Sequence, residues 1–435
     1  MDYSKEPDQK IFSLIEQEVT RQQQGLILIP SENYASLSVI RAMGTPLSNK
    51  YSEGYPGKRY YSGNKFIDQI EELAIERAKK LFGFDHANVQ PHSGSTANQA
   101  VILALLKPGD KILSLDLNHG GHLSHGSRLN FTGKFYNIAS YGVEKDTEQL
   151  NYDHLEMIAK KEMPQLIISG STSYPKQFDF DRVGQIAKTV GAFHLADISH
   201  VAGLAVAGKH YPCQSADIVT TTTHKTLRGP RGAIILCQQE LAEQIDRAVF
   251  PGVQGGPLEN IIAAKAVCFL EARQPEFKIY AQQILDNALA LAKSLTENDL
   301  RLVSGGTDTH LVLVDVRPLG IDGQKATLAL ENSGIYANKN VIPFETGTPF
   351  KPSGVRLGTP ALTTRGMKEK EMEKIGSWIS QLLHQSDDLT LQKKIKEEAT
   401  ELTNLFPVYG APRASLPKAG KRVVPLGDTA FGGGT

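Results

Sequence analysis

Short apolar runs that alternate with a helical segment set the strongest limit on how this chain can fold. Gln165–Ser169 and Phe193–Ala196 have the length and composition of buried strands, and Asp179–Val190 between them has helical spacing. This alternation predicts an α/β fold with a mostly parallel sheet. Two further runs, Asp217–Thr220 and Ala233–Leu236, are also predicted to be buried strands. Because ligands bind beyond the carboxyl ends of parallel strands, the residues that follow these strands are the candidates for a site.

Composition excludes several classes of function. The 435 residues include 47 basic and 47 acidic side chains, and 40% of all residues are apolar. This supports two domains with buried cores, and the balanced charge gives no indication of nucleic-acid or membrane binding. Three scattered cysteines, Cys213, Cys237 and Cys268, argue against a disulfide framework and suit a reducing compartment. Since we find neither a signal peptide nor an apolar run of membrane-spanning length, we expect a cytoplasmic protein.

A lysine lies in the polar loop between the last two predicted strands. Lys225 follows four threonines and His224, and a Gly-Pro-Arg-Gly turn comes after it. Burial would lower the pKa of its amine, and a neutral amine can attack a carbonyl carbon to form an imine. The alternative is an ordinary solvated lysine. Asp197 follows the strand Phe193–Ala196 directly, where it is either a ligand-binding carboxylate or a helix cap.

Two glycine-containing turns precede predicted helices and could bind an anion. Ser93-Gly94-Ser95 comes before the helix-compatible run Ala97–Leu106, so hydroxyls, N–H groups and the helix dipole would face a phosphate. Ordinary capping by serine is the alternative. Phe250–Pro257 is the second such turn, before a predicted helix over Leu258–Glu271.

Three histidines, His119, His122 and His125, fall within seven positions. Glycines interrupt the helix that would align them, and no carboxylate or cysteine nearby completes a metal shell. We therefore expect no metal ion and one ring that faces a ligand. The Gly- and Tyr-rich stretch Asn49–Gly63 predicts a functional loop, since a flexible linker would be poor in aromatic residues.

The character of the chain changes after about Glu297. A strand over His310–Val316, a helix over Gly323–Asn332 and helices over Gly366–His384 and Leu391–Leu405 predict a smaller α+β domain. The expected divisions are an N-terminal arm (1–40), a large cofactor-binding domain (41–275), a small domain (276–408) and a tail (409–435).

These candidates together fit one cofactor. A pyridoxal phosphate enzyme needs a Schiff-base lysine, an acid that pairs with the pyridinium nitrogen and a phosphate-binding turn. Lys225, Asp197 and Ser93–Ser95 supply these groups. Arg356 offers a planar fork that can bind a substrate carboxylate. The residues therefore predict a pyridoxal phosphate enzyme that acts on an amino acid.

Several long motifs resemble those of the bacterial-type serine hydroxymethyltransferase family, both in their residues and in their order along the chain. The segment Thr220–Lys225, followed by Gly229–Gly232, is similar to its pyridoxal-lysine motif. The other matching motifs are Ser31–Asn33, Asn49–Tyr61, Asn88–Ser95, His119–Leu123, His200–Leu204, Gln254–Pro257, Ser304–Asp308, Asn338–Asn340 and Ser353–Arg356. The resemblance runs from about Leu26 to Pro407. It implies the aspartate-aminotransferase-type (fold type I) architecture, with a mostly parallel seven-stranded sheet in the large domain and a small C-terminal α+β domain.

The resemblance also implies a reaction and an assembly. The reaction is reversible transfer of the hydroxymethyl group of L-serine to tetrahydrofolate, which gives glycine and 5,10-methylenetetrahydrofolate with pyridoxal 5'-phosphate as cofactor. The assembly is a homodimer or a tetramer, with Tyr51, Glu53 and Gly256 reaching the site of the neighbouring subunit. The alternatives are a threonine-aldolase-like lyase, an α-methylserine hydroxymethyltransferase and a cofactor-binding protein without catalysis.

Each matched residue receives a role from the resemblance. The implied catalytic residues are Lys225, Glu53, Asp197, His200 and Tyr61. The implied cofactor-binding residues are Lys225, Asp197, His200, His122, Ser93, Gly94, Ser95, Thr172, His224, Tyr51 and Gly256, with His122 stacked on the ring. The implied substrate-binding residues are Ser31, Arg356, Glu53, Tyr61 and Arg231. The implied folate-binding residues are Leu117, Gly121, Leu123 and Asn340.

Several positions depart from the usual pattern of this family. They are Pro30, Thr172, Lys176, Ser199, Arg228 and Val253. None of these changes removes a chemical group that the reaction requires, but together they leave room for an altered substrate preference.

Overall fold

The computed structural model describes residues 7–348 and 350–409. The N-terminal part contains helices α1 (Gln9–Gln24), α2 (Leu37–Met43) and α3 (Lys65–Phe82), and short strands β1 (Leu26–Ile27), β2 (Gly54–Tyr55) and β3 (Lys58–Arg59). Asp8 caps α1 by accepting a hydrogen bond from the backbone of Ile11 at 3.2 Å. The helix ends at Gln24, and Gly25 caps it by donating from its backbone N–H to the carbonyl of Arg21.

A seven-stranded sheet forms the centre of the large part of the molecule. Its strands are β4 (His86–Asn88), β5 (Lys111–Leu115), β6 (Asn137–Tyr141), β7 (Leu166–Ser169), β8 (Phe193–Asp197), β9 (Ile218–Thr222) and β10 (Ala233–Cys237). The strand order is β4-β10-β9-β8-β7-β5-β6. Strands β5 to β9 are parallel, and β10 is antiparallel to both of its neighbours. The predicted mostly parallel sheet is therefore confirmed.

Helices cover both faces of this sheet. They are α4 (Gly94–Leu105), α5 (Phe131–Phe135), α6 (Tyr152–Glu162), α7 (Phe180–Val190), α8 (Ala202–Val206), α9 (Ala242–Arg247) and α10 (Glu259–Ala272). Alternate strand residues pack into two separate apolar clusters: Leu113 packs with residues of α3, α7 and α10, whereas Ile112 packs with residues of α4 and α9. Burial on both faces explains why the strands appear as continuous apolar runs in the sequence.

The C-terminal part is a smaller α+β unit with its own apolar core. Its helices are α11 (Pro275–Glu297), α12 (Gly323–Asn332), α13 (Pro360–Thr364), α14 (Glu369–His384) and α15 (Leu389–Leu405). Its strands are β11 (Arg301–Leu302), β12 (Leu311–Asp315), β13 (Ile335–Tyr336), β14 (Asn338–Asn340) and β15 (Gly354–Gly358). An antiparallel sheet has the order β11-β12-β15-β14.

The N-terminal segment joins this smaller unit. Strand β1 pairs in parallel with β13, and Leu26 and Leu28 belong to the apolar cluster that includes Trp378. The residue divisions between arm, large domain and small domain stay a prediction. The predicted tail lies outside the described residues from position 410 onward. Among the helices of the described part, none combines the length and apolar character that spanning a bilayer requires.

Candidate active site

The carboxyl ends of β5, β7, β8 and β9 lie side by side at one edge of the large sheet. Each strand end contributes one residue: His122 follows β5, Thr172 follows β7, Asp197 ends β8 and Lys225 follows β9. A cavity of about 500 Å³ opens here, and all four residues line it. Parallel topology therefore brings together residues that are far apart in the sequence, at the place where such sheets bind ligands.

The lining of this cavity contains most of the predicted site residues. These are Ser31, Ser93, Gly94, Ser95, Leu117, Gly121, His122, Leu123, Thr172, Asp197, His200, His224, Lys225, Arg231, Asn340 and Arg356. The additional lining residues are Glu32, His125, Ser171, Ser199 and Thr222. Within this single chain, Tyr51, Glu53, Tyr61 and Gly256 do not line the cavity.

The loop that carries Lys225 is fixed by hydrogen bonds between its two ends. The backbone N–H of Thr223 donates to the carbonyl of Gly232 at 3.0 Å, and that of Gly229 donates to the carbonyl of Thr223 at 2.7 Å. The side-chain amide of Asn33 donates to the carbonyl of Lys225 at 2.9 Å. These hydrogen bonds therefore hold the backbone of Lys225 in place at the wall of the cavity.

The surroundings of Lys225 suit a reactive amine. Burial lowers the pKa of Lys225 to about 8 against the opposing charge of Asp197, and the charges of Arg356 and Arg231 add to the decrease. Only the neutral amine is nucleophilic, so a pKa near the physiological range leaves a useful fraction ready to attack a carbonyl carbon. Lys225 is partly buried rather than freely solvated.

Asp197 is a buried carboxylate with three hydrogen-bond donors. Its Oδ2 accepts from Asn98 Nδ2 at 2.8 Å and from His125 Nε2 at 2.9 Å, and its Oδ1 accepts from the backbone of Ser199 at 3.1 Å. Burial alone would raise the pKa of Asp197, but the hydrogen bond and charge of His125 hold this pKa well below its usual range. The carboxylate therefore stays ionised and can pair with a cationic ring nitrogen. It does not cap the following helix, α8.

The three clustered histidines have different partners. His119 Nδ1 accepts a hydrogen bond from the backbone N–H of Val143 at 3.0 Å. His122 Nδ1 accepts one from the backbone N–H of Ser124 at 3.1 Å. Burial lowers the pKa of His122 to about 4, so its ring is neutral. Among the described residues, no group of three or more His, Cys, Asp or Glu side chains is arranged to hold a metal ion.

His200 forms a buried pair with His310. Nδ1 of His200 lies 3.2 Å from Nε2 of His310, and the nearly parallel ring planes have their centres 5.4 Å apart. Burial lowers the pKa of His200 well below its ordinary value and lowers the pKa of His310 to about 3. Both rings are therefore neutral. Their nitrogen atoms can form hydrogen bonds, and neither ring adds charge near the cavity.

Arg356 projects from β15 of the smaller unit. Its Nε donates to Asn338 Oδ1 at 3.1 Å, and its Nη1 donates to the carbonyl of Thr172. The residue is 9% exposed, and burial lowers the pKa of the guanidinium to about 10. No carboxylate within the described ranges lies within 4.0 Å of it. Since a buried cation without an acidic partner is costly, Arg356 is suited to binding an anionic ligand.

The Ser93-Gly94-Ser95 turn begins helix α4 at the cavity wall. Ser93 Oγ accepts from the backbone N–H of Thr96 at 3.2 Å, so this serine caps the helix. A Cβ on Gly94 would lie 2.8 Å from Cγ2 of Thr222, so glycine lets the helix start approach the end of β9. The capping interpretation is thus correct for Ser93, and the same turn lines the cavity.

Apolar side chains partly exposed to solvent line another wall of the cavity. Leu117 and Leu123 are 41% and 50% exposed, respectively. A Cβ on Gly121 would meet the carbonyl oxygen of Leu115 at 2.2 Å, so the backbone here packs too closely for any side chain. The hydroxyl of Thr172 donates to the carbonyl of Gly121 at 3.2 Å. This wall therefore combines a fixed backbone with apolar surface.

Known proteins share this sequence over nearly its whole length. A family model for serine hydroxymethyltransferase matches residues 4–379. The serine hydroxymethyltransferase of Acidobacterium capsulatum is 57% identical over 404 residues, which cover 93% of this chain and 95% of the relative. That of Koribacter versatilis is 53% identical over 411 residues, which cover 94% and 96%. This chain belongs to the serine hydroxymethyltransferase family.

Family membership confirms the resemblance inferred from the motifs, and with it the fold type I architecture. Serine hydroxymethyltransferases use pyridoxal 5'-phosphate as cofactor and tetrahydrofolate as co-substrate. The cavity fits this cofactor chemically. It offers the amine of Lys225, the ionised carboxylate of Asp197, the neutral ring of His122 and, at Ser93–Ser95, the start of a helix with two serine hydroxyls.

The predicted site residues that lie outside the cavity form a second group. The rings of Tyr51 and Tyr61 pack edge to face with centres 5.0 Å apart, and Tyr51 Oη donates to Glu53 Oε1 at 3.4 Å. The charge of Glu53 raises the pKa of Tyr61. A Cβ on Gly256 would lie 3.5 Å from the ring of Tyr51. In this chain, the four outlying residues are therefore neighbours of one another.

Several contacts that hold the predicted site residues in place were not predicted from the sequence. Asn98 and His125 hold Asp197, His310 pairs with His200, and Asn338 holds Arg356. One signal was present for the first of these. Asn98 is a polar residue inside the apolar run Ala97–Leu106, and such a residue needs a partner when the helix is buried.

Proposed function

We propose that the residues lining this cavity carry out the reaction of the serine hydroxymethyltransferase family. L-serine and tetrahydrofolate give glycine and 5,10-methylenetetrahydrofolate, reversibly and with pyridoxal 5'-phosphate as cofactor. The observation that best supports this assignment is the buried Arg356, which has no acidic partner among the described residues and lines the same cavity as Lys225. A carboxylate bound to Arg356 would place its amino acid beside the lysine amine.

Lys225 and Asp197 have complementary roles in this proposal. When bound, the cofactor supplies an electron sink for the breaking Cα–Cβ bond of serine. Lys225 is the point of covalent attachment, because its lowered pKa makes the amine available. Asp197 stays ionised and holds a proton on the pyridine nitrogen, with Asn98 and His125 fixing the carboxylate.

The remaining cofactor contacts come from the other cavity walls. Ser93, Gly94 and Ser95 bind the phosphate at the start of α4, where N–H groups and the helix dipole favour an anion. Neutral His122 covers one face of the ring. His200 lies by the phenolic oxygen or the substrate, and Thr172 and His224 complete the lining.

Substrate recognition depends chiefly on Arg356. Its planar guanidinium can donate two parallel hydrogen bonds to the serine carboxylate. Ser31 adds a hydroxyl to the same carboxylate, and Asn33 anchors this segment by its hydrogen bond to the carbonyl of Lys225. Arg231 lines the same cavity and adds to substrate binding, and its charge also helps to lower the pKa of Lys225.

The four outlying residues act in a neighbouring subunit. Tyr51 and Gly256 reach the phosphate of the partner's cofactor, and Glu53 manages the proton of the serine hydroxyl, with Tyr61 beside it. Support comes from their exposure: Tyr51 and Tyr61 are 56% and 46% exposed in the single chain. The assembly is thus at least a homodimer with shared active sites, and we place it in the cytoplasm.

The folate binds at the partly exposed apolar wall. Leu117 and Leu123 offer apolar contact to its flat ring system, and Gly121 lets the ring approach the backbone. Asn340 supplies an amide to its polar edge.

Turnover of L-serine with and without tetrahydrofolate tests this function. We expect rapid glycine formation only with folate, in a yellow protein that absorbs at roughly 420–430 nm. Serine cleavage at the full rate without folate would instead indicate an aldolase-type lyase. A protein that cannot be reconstituted with the cofactor would refute the proposal altogether.

A further inference from the structure

One buried hydrogen bond links two segments of the second residue group. Ser52, between Tyr51 and Glu53, is fully buried, and its hydroxyl donates to Glu259 Oε1 at 2.5 Å. Glu259 is 1% exposed and is the first residue of α10, directly after the Gln254–Pro257 turn. The Glu259 carboxylate therefore links the chain around Glu53 to the helix start that follows the turn containing Gly256.

The two segments are also in contact above this hydrogen bond. A Cβ on Gly255 would lie 3.1 Å from Glu53 Oε1, and a Cβ on Gly256 would lie 3.5 Å from the ring of Tyr51. The side chains of Tyr51 and Glu53 thus rest directly on the backbone of the turn. Any shift between the segments would change where the carboxylate of Glu53 points.

We propose that Glu259 is a positioning residue for the family reaction: through Ser52 it holds the Glu53 carboxylate in the orientation that the neighbouring subunit's site needs. The inference rests on the proposed function of Glu53. It assigns a role to a residue that is buried within its own chain, where it accepts a hydrogen bond from Ser52, and so acts through Glu53 rather than by contact with substrate or cofactor.

Charged groups from three elements face Glu259. Arg59 on β3 forms ion pairs with Glu71 and Asp68 on α3, and Lys265 on α10 interacts electrostatically with Glu259. Burial raises the pKa of Glu259 to about 7; the Ser52 hydrogen bond and Arg59 oppose this, and the nearby acids add to it.

A second feature makes the hydrogen bonding of the Glu259 carboxylate depend on whether it is ionised. Glu259 Oε2 has no hydrogen-bond partner among the described residues. Because an ionised acceptor forms the stronger hydrogen bond, the hold on Ser52 increases as pH rises through neutrality.

A double-mutant cycle tests the proposal. We expect Glu259→Ala and Ser52→Ala each to lower kcat for serine and folate on the order of tenfold to a hundredfold, with serine KM unchanged within about twofold. In a Glu53→Gln background neither substitution should lower kcat further, because both act through Glu53. Ser52→Ala removes a single hydroxyl and keeps the test available if Glu259→Ala does not fold.

A conservative variant and a control separate positioning from general stability. Glu259→Gln keeps an acceptor oxygen, so it should recover part of kcat while losing the component of the pH profile near neutrality. Glu148→Gln is the matched control. Glu148 is 7% exposed and accepts from Arg301 and Ser304 at 2.7 and 2.8 Å, far from this group in the sequence. It should leave kcat unchanged, and cofactor absorbance should be normal in all variants.

Two outcomes would overturn the inference in distinguishable ways. Normal wild-type turnover with equal losses in the wild-type and Glu53→Gln backgrounds would refute the positioning role of Glu259 alone. Absence of serine and folate turnover in the wild-type protein would refute the proposed function and this inference together.

Discussion

The cavity around Lys225 and the group around Glu53 differ in how their polar atoms are satisfied. In the cavity, the chain itself provides the partners: three donors hold Asp197, and Asn338 and Thr172 hold Arg356. In the second group the base is buried and joined by the Ser52–Glu259 hydrogen bond, but the ring tips of Tyr51 and Tyr61 are exposed. Asp197 and Arg356 of the first region are hydrogen-bonded within a single chain, whereas the second region has a buried base and exposed ends.

This difference has a physical cause. Most buried polar groups are paired within their own chain, because leaving one unpaired costs about 1–3 kcal/mol. Exposed tips carry no such requirement, so their geometry can be set by a second molecule. We therefore interpret the first region as a preorganised cofactor site and the second as the part that completes the site of a neighbour.

Removing the lysine should have the largest effect. Lys225→Ala is expected to lower serine turnover by on the order of 10³-fold or more, because no other amine lines the cavity within the described residues. Borohydride reduction and peptide mapping of the wild-type protein provide the check. The label should be on Lys225 and not on Lys265, the other buried lysine, whose pKa burial lowers to about 7. Labelling of Lys265 would contradict the account.

Removing the carboxylate of the second group should have the next largest effect. Glu53→Gln is expected to lower kcat by roughly 10²- to 10⁴-fold while cofactor absorbance stays normal, since the role proposed for Glu53 is to handle a proton and not to bind the cofactor. Steady-state kinetics and a spectrum of the same sample measure both properties. Glu72→Gln, an exposed carboxylate on α3, is the control and should keep full turnover. A normal kcat in Glu53→Gln would remove the second region from the mechanism.

Loss of the guanidinium should weaken substrate binding rather than catalysis alone. Arg356→Ala is expected to cost about 2–5 kcal/mol of serine binding, because the interaction is buried. Arg356→Lys keeps the charge but lacks the planar fork, so its affinity should be intermediate. Spectral titration with serine measures the dissociation constant. Unchanged affinity in Arg356→Ala would mean that the serine carboxylate binds elsewhere.

The smallest effect should be on stability at the base of the second group. The raised pKa of Glu259 means that the folded protein holds this proton more tightly than the unfolded chain. This contribution is fully present below about pH 4.5 and is lost as pH rises through about 7. Glu259→Gln should therefore be more stable than the wild type at pH 8, by at most about 3 kcal/mol, and this gain should vanish near pH 4. Denaturation at both pH values measures it; a difference independent of pH would contradict the assignment.

The sequence predicted the central strands of the large sheet well because these strands are buried on both faces. Continuous apolar runs at Gln165–Ser169 and Ala233–Leu236 leave few other interpretations, and the observed strands differ from them by one residue at an end. Lys225 and Asp197 were found as candidates because they follow such strands, and the cavity lies at those ends. The roles assigned to the site residues remain predictions.

The supporting contacts could not be predicted from the sequence. His310 of the smaller unit pairs with His200 of the larger one, so this contact depends on how the two units pack. Asn338 contacts Arg356 because β14 and β15 pair with these two residues opposite each other, a register that the sequence does not reveal. Ser52 and Glu259 are 207 positions apart, and neither has a neighbour in the sequence that points to the other. Such pairings arise from tertiary structure, on which local periodicity carries no information.

Subunit complementation tests the central claim most directly. Lys225→Ala lacks the amine of its own cavity, and Glu53→Gln lacks the carboxylate it would give to its neighbour. Mixing the two inactive proteins under conditions of subunit exchange should restore about one quarter of wild-type activity, because half of the dimers are mixed and each has one intact site. Activity no higher than the sum of the separate variants, with exchange demonstrated, would contradict a shared active site.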